Sequence, residues 1–109
     1  MAGGFLLRTL SKVLRRVSFE SYGREGAVIY HEGLKTITFY MEFGGSDVIF
    51  FLQIPSKNNW ESVTGFDVNE RDEIIKYVAE NTQRHQAPSC YFEIMEEEIY
   101  FKKKPAENE

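Results

Sequence analysis

Between Val17 and Ile54 the apolar residues recur at every second position, in four runs divided by glycine-bearing turns. That pattern leaves little choice but an antiparallel meander. The runs 17–22, 27–32, 35–43 and 48–54 are rich in Val, Ile, Thr, Phe and Tyr, the residues that suit a pleated, half-buried surface. Their dividers are Gly23-Arg24-Glu25-Gly26, Gly33-Leu34 and Gly44-Gly45-Ser46-Asp47. Connections this short join antiparallel neighbours only.

The register can be tested against the pattern. With turns centred on Arg24-Glu25, Gly33-Leu34 and Gly45-Ser46, Phe19, Tyr30, Ile37 and Ile54 share one cross-strand row. Ser21, Val28, Phe39 and Leu52 share the next, Met41 meets Phe50, and Phe43 meets Val48. Three independently placed turns thus put the apolar sets of four strands on one face, an agreement that a one-residue slip in any of them would destroy.

Pro55 ends the fourth strand, and residues 55–68 read as a polar loop that also carries Trp60 and Phe66. A helix is expected over 69–85. Asn69 serves as its cap, Glu70, Asp72 and Glu73 complement the positive end of its dipole, and Arg84 and His85 the negative end. Its inward stripe is Ile74, Ile75, Val78 and Thr82. Pro88 stops it, and 90–95 with 98–103 form a second hairpin turning at Glu96-Glu97. The helix should cover the apolar sheet face, giving a two-layer α+β domain over 1–104, with 105–109 a charged, frayed tail.

Ahead of the strands the period is near 3.6. A helix over 5–15 is expected, with Leu6, Leu7, Leu10, Val13 and Leu14 on the side that Val17 continues, and Arg8, Lys12, Arg15 and Arg16 on the other. A cationic amphipathic helix docked on the core is the first reading. A mitochondrial transit peptide and an interfacial membrane contact through residues 5–17 are the others. A secretory signal is excluded because Arg8 and Lys12 interrupt the apolar run, and no stretch of 18 apolar residues is present to span a bilayer.

Composition narrows the chemistry. The chain of 109 residues carries a net charge of -4, which opposes general nucleic-acid binding because that needs a cationic face to displace phosphate counterions. A lone cysteine, Cys90, rules out an intrachain disulfide or a multi-cysteine zinc site and suits a reducing, cytoplasmic setting. Cys90 itself reads as a small buried hydrophobe. Glu96, Glu97 and Glu98 are consecutive, so their side chains diverge rather than surround one ion. Gly44-Gly45 joins two strands instead of opening a helix, so the helix N-terminal amides that hold phosphate are missing. No cofactor and no metal site is expected.

The second sheet face carries Ser18, Glu20, Tyr22, Ala27, Ile29, His31, Thr36, Thr38, Tyr40, Glu42, Ile49, Phe51 and Gln53. On the register above, one row reads Tyr22, Ala27, Tyr40, Phe51. A solvated face would be more uniformly polar, so a cover is expected: the N-terminal helix, another subunit or a ligand. Tyrosine beside apolar groups is the composition of interface centres. His31 lies opposite Ser18 and Thr36 with Glu20 a diagonal away, a conceivable His–carboxylate pair. Trp60 is either an exposed anchor for a partner or folds back to cap the core.

The leading expectation is a small acidic, non-enzymatic protein-interaction module, of the kind that neutralises a basic partner, here a homodimer with Tyr40 and Phe51 at its centre. Its candidate binding residues are Tyr22, His31, Tyr40, Glu42, Phe51 and Trp60. The alternatives are a ligand-binding or hydrolase domain using Tyr22, Tyr40, His31 and Glu42, and a peripheral membrane protein anchored by its first helix.

Overall fold

The computed structural model describes residues 14–23 and 25–105. Most of the expected helix over 5–15, together with Arg24 and nearly all of the tail, therefore lies outside the described residues. The element order is β1 (Arg16–Tyr22), β2 (Glu25–Glu32), β3 (Lys35–Phe43), β4 (Val48–Gln53), α1 (Lys57–Thr64), α2 (Arg71–Gln86), β5 (Cys90–Ile94) and β6 (Glu98–Lys103), with a single 3-10 turn, Val68–Glu70, leading into α2. The class is α+β, as the alternation of periods requires.

The strands form one six-stranded antiparallel sheet in the order β1-β2-β3-β4-β6-β5. The C-terminal hairpin is thus a continuation of the meander and not a separate unit, because β6 pairs along β4 with Leu52 opposite Ile99 and Phe51 opposite Tyr100. Phe50 and Phe101 stack at 4.6 Å between ring centroids across that seam.

The expected register holds for β2–β3, where Tyr30 faces Ile37 across the Gly33-Leu34 turn. Gly33 takes φ 61 and is the first of the two central residues, the position where a hairpin turn of this type demands glycine. The other two ladders differ by two residues. Val17, not Phe19, faces Tyr30, and Leu52, not Phe50, faces Met41. In each case the turn centre lies one residue from the expected place: Tyr22 pairs with Glu25, and the β3–β4 turn carries Ser46 at φ 60. Moving a turn centre by one residue moves the register by two, and since side chains alternate with a period of two, the faces are preserved.

The core lies on one face. Tyr30, Phe39, Leu52, Ile99 and Phe101 are fully buried beneath Trp60, Ile74, Ile75, Val78 and Ala79 from the helices. The helical stripe is the expected one, extended by Ala79 and by Arg71. The cap is not. Helix α2 begins at Arg71, and it is the Asp67 carboxylate, accepting from the Asn69 N–H at 2.8 Å, that closes the preceding turn.

Residues 55–68, expected as a polar loop, contain α1 instead. Tertiary packing overrides the indifferent local preference of Lys57-Asn58-Asn59: one side of the helix places Trp60 at 0% exposure, and Phe66 follows it into the core. Gly65 ends α1 in the left-handed conformation at φ 77. Trp60 therefore takes the second of its two expected places, and its indole N–H donates to the Asp67 carbonyl at 3.2 Å.

The residues expected to end the N-terminal helix do not extend it. Leu14 lies in a turn, and Arg15, in no regular element, leads directly into β1. Arg15 binds α2, with its guanidinium 2.8 Å from Glu73 and 3.9 Å above the Tyr77 ring, while the Tyr77 hydroxyl donates to the Arg15 carbonyl.

Candidate functional site

Both helices pack on the same side, so among the described residues no element lies over the other face of the sheet. The two register differences rearrange the residues on that face. Glu20, Ala27 and Tyr40 form one row. Tyr22, Glu25, Glu42, Phe51, Tyr100 and Glu93 form the next, reaching from one edge strand to the other. Tyr22 and Phe51 therefore leave the Tyr40 row, where the sequence reading had put them, and Phe51 faces Glu42 across the β3–β4 ladder. Tyr40 stands 62% exposed, Phe51 is half-buried, and its ring meets Tyr100 edge-on at 5.9 Å.

The same rows gather carboxylates. Glu20, Glu25, Glu42, Glu93 and Glu98 share this face, against Lys102 and, two rows beyond Glu20, Arg16. Lys102 is already engaged, 2.9 Å from Glu93, and that bond raises its pKa above the ordinary lysine value. Tyr100 donates to Glu98 at 2.6 Å, and this bond, which favours the neutral phenol, raises the Tyr100 pKa. The Glu42 carboxylate forms no hydrogen bond or ion pair among the described residues. The result is an aromatic band of Tyr40, Phe51 and Tyr100 bordered, among the described residues, by more carboxylates than cations.

His31 lies apart from this band. Its cross-strand neighbours are Arg16 and Thr36, not Ser18 as the earlier register implied, and Ser18 reaches it diagonally with an Oγ–Nε2 distance of 2.8 Å. Glu20 is two rows away. Burial, and then the Arg16 charge, lower the His31 pKa, so the ring is neutral at pH 7. A His–carboxylate couple of the kind considered from the sequence is not assembled here, since the charge acting on His31 is a cation. Among the described residues, no group of three His, Cys, Asp or Glu side chains converges as a metal site would.

Beside Tyr40 the face is broken by a cleft of about 300 Å³, lined by Thr38, Tyr40, Gln53, Ile54, Pro55, Ser56, Asn59, Val63 and Glu97. Its wall is held by a residue the sequence reading passed over. Arg71 is 3% exposed, and its Nε and Nη2 donate to the Pro55 carbonyl at 3.2 and 3.0 Å, while Nη2 also donates to the Glu96 carbonyl at 2.6 Å. One guanidinium thus ties the start of α1 to the β5–β6 turn. The Ile54 N–H donates to the Glu97 carbonyl at 2.9 Å, and Glu96 accepts from the Lys57 N–H at 3.1 Å, on the same seam. A signal was present: Arg71 stands three and four residues before Ile74 and Ile75, on the apolar stripe, where a charged residue must find internal partners.

Of the six residues singled out from the sequence, Tyr40, Glu42 and Phe51 come together on adjacent rungs of the open face. Tyr22 ends β1 opposite Glu25, His31 sits at the far end of the face, and Trp60 is buried on the other side of the sheet. Comparison of the chain with models of protein families, with curated proteins and with solved structures finds no match.

Proposed function

We propose that this chain is a non-enzymatic binding module that holds a basic protein partner against the open face of its sheet. The observation that carries the reading is the Phe51–Tyr100 pair on the open face, with Tyr40 beside it: aromatic area on a paired sheet, next to Glu25 and Glu42, whose carboxylates form no ion pair among the described residues. Aromatic rings supply contact area at low entropic cost, and unpaired charge of one sign steers and selects an oppositely charged partner.

The charge pattern also bears on self-association. Two copies meeting face to face would bring five carboxylates and two cations per copy, counted over the described residues, into one interface, so the excess of like charge favours a cationic partner over the homodimer expected from the sequence. The hydrolase alternative is supported less, because His31 neighbours Arg16 and stands apart from Tyr40 and Glu42.

The test is fluorescence anisotropy of a fluorescein-labelled peptide of alternating arginine and glycine, titrated with the full chain at low and high salt. The expected result is saturable binding that weakens as salt rises and is lost in Glu42→Lys and in Phe51→Ala, each checked for folding by Trp60 emission. Binding that ignores both substitutions, or no binding at low salt, would show the reading to be wrong. Concentration-dependent light scattering that follows Phe51 would instead restore the homodimer.

A further inference from the structure

The cleft beside Tyr40 exists because β3 outruns its partner. Strand β3 has nine residues, yet only Met41, Glu42 and Phe43 pair with β4, and Pro55 then turns the chain away into α1. The space so left opens on the aromatic, acidic face, since Thr38, Tyr40 and Gln53 all belong to that face.

Its chemistry is selective. The side chains of Gln53, Asn59 and Glu97 form no hydrogen bond or ion pair among the described residues, so a carboxylate and two amides stand ready as acceptors. Tyr40 contributes an exposed ring to the lining, and Val63, 65% exposed, an apolar surface. An anion would be repelled by Glu97, and an apolar group would strip water from that carboxylate with nothing in return. A cation on an apolar stem meets all of these groups at once. Arginine fits better than lysine, because a planar guanidinium stacks on an aromatic ring while its edge donates to a carboxylate and to amide oxygens. The wall is also preorganised, with Arg71 fixing Pro55 and Glu96 and the Ile54–Glu97 backbone bond fixing the mouth.

We propose that this cleft receives one arginine side chain of the partner, its guanidinium stacked on Tyr40 and bonded to the Glu97 carboxylate. The inference rests on the open face being the binding surface, and it assigns the anchoring point on that surface.

The test uses the full chain, labelled with ¹⁵N, titrated with acetyl-Gly-Arg-Gly-amide and with its lysine and norleucine counterparts. The arginine tripeptide is expected to shift the side-chain amide resonances of Gln53 and Asn59 saturably. The norleucine peptide leaves them in place, and the lysine peptide binds several-fold more weakly. Glu97→Gln and Tyr40→Leu each weaken the arginine peptide at least fivefold. Shifts that spare Gln53 and Asn59, shifts unchanged in Glu97→Gln, or equal binding of lysine would overturn the assignment. The alternating arginine–glycine peptide separates the two failures. If it still binds in a Phe51-dependent way, only the cleft is wrong; if it does not bind the unaltered chain, the open-face reading fails with it.

Discussion

Replacing Arg71 by methionine removes a buried guanidinium while keeping a side chain of similar length on the helical stripe. Two backbone carbonyls, of Pro55 and Glu96, lose their charged donor. Hydrogen bonds to charged groups contribute about 1.5–3 kcal/mol each, and with the forked pair on Pro55 counted once the gross loss is about 3–6 kcal/mol. Two effects reduce it. The methionine carries no charge to desolvate, and the buried charge it replaces has little electrostatic return, since Asp72 lies 3.5 Å away on an 83% exposed side chain. Pro55 is half-buried and Glu96 exposed, so water takes over part of the lost bonding. The net expectation is a destabilisation of about 2 kcal/mol, equivalent to a fall in Tm of roughly 8–16 °C for a domain of this size. Guanidinium chloride titration followed by tryptophan emission suits the measurement, because Trp60 is the sole tryptophan, is fully buried and packs within 6 Å of the Arg71 guanidinium. Arg71→Lys should lose a large part of the same stability, since an ammonium cannot present the fork that reaches both carbonyls. A midpoint for Arg71→Met equivalent to a change below about 0.5 kcal/mol, the range of ordinary surface substitutions, would refute the argument that this guanidinium ties α1 to the β5–β6 turn.

Three further outcomes are expected. Thr82 is fully buried and its hydroxyl has no hydrogen-bond partner among the described residues, so Thr82→Val should stabilise the fold by about 1 kcal/mol in the same denaturation assay. Gly26→Ala should destabilise by at least about 2 kcal/mol, because its Cβ would lie 2.6 Å from the Glu20 carbonyl oxygen and from the Met41 terminal methyl, and the backbone atom cannot withdraw; thermal melts of the single variant decide it. Because burial and then Arg16 depress the His31 pKa in the folded chain, the unfolded chain takes up the proton more readily, so stability present above pH 6.5 declines as pH falls below that value. Comparing denaturation midpoints between pH 7.5 and 5.5 should show a smaller decline for His31→Gln than for the unaltered chain, and equal declines would refute the shift.

What the alternation in residues 17–54 determined was the facing of the four strands it spans, and with it much of the core: Tyr30, Phe39 and Leu52 were placed on the buried face from the sequence and are fully buried there. It did so even where the turn centres were misplaced, because a turn error of one residue is a register error of two and leaves each side chain on its own face. The hairpin at 90–103 and the stripe of α2 were legible for the same reason, as local periodicity. The rows of the open face were not, since Gly23 and Gly26, or Gly44 and Gly45, offer competing turn positions, and only side-chain packing across the ladder decides which is used. That choice put Phe51 beside Glu42 instead of Tyr40, and so created the aromatic row bordered by carboxylates. Helix α1 was hidden because its sequence has weak helical preference, and burial of Trp60 supplies what propensity does not. The joining of β6 to β4 and the Arg71 seam were hidden because they depend on contacts between residues far apart in the chain, where hydrogen-bond partners are set by the assembled fold and leave no periodic trace.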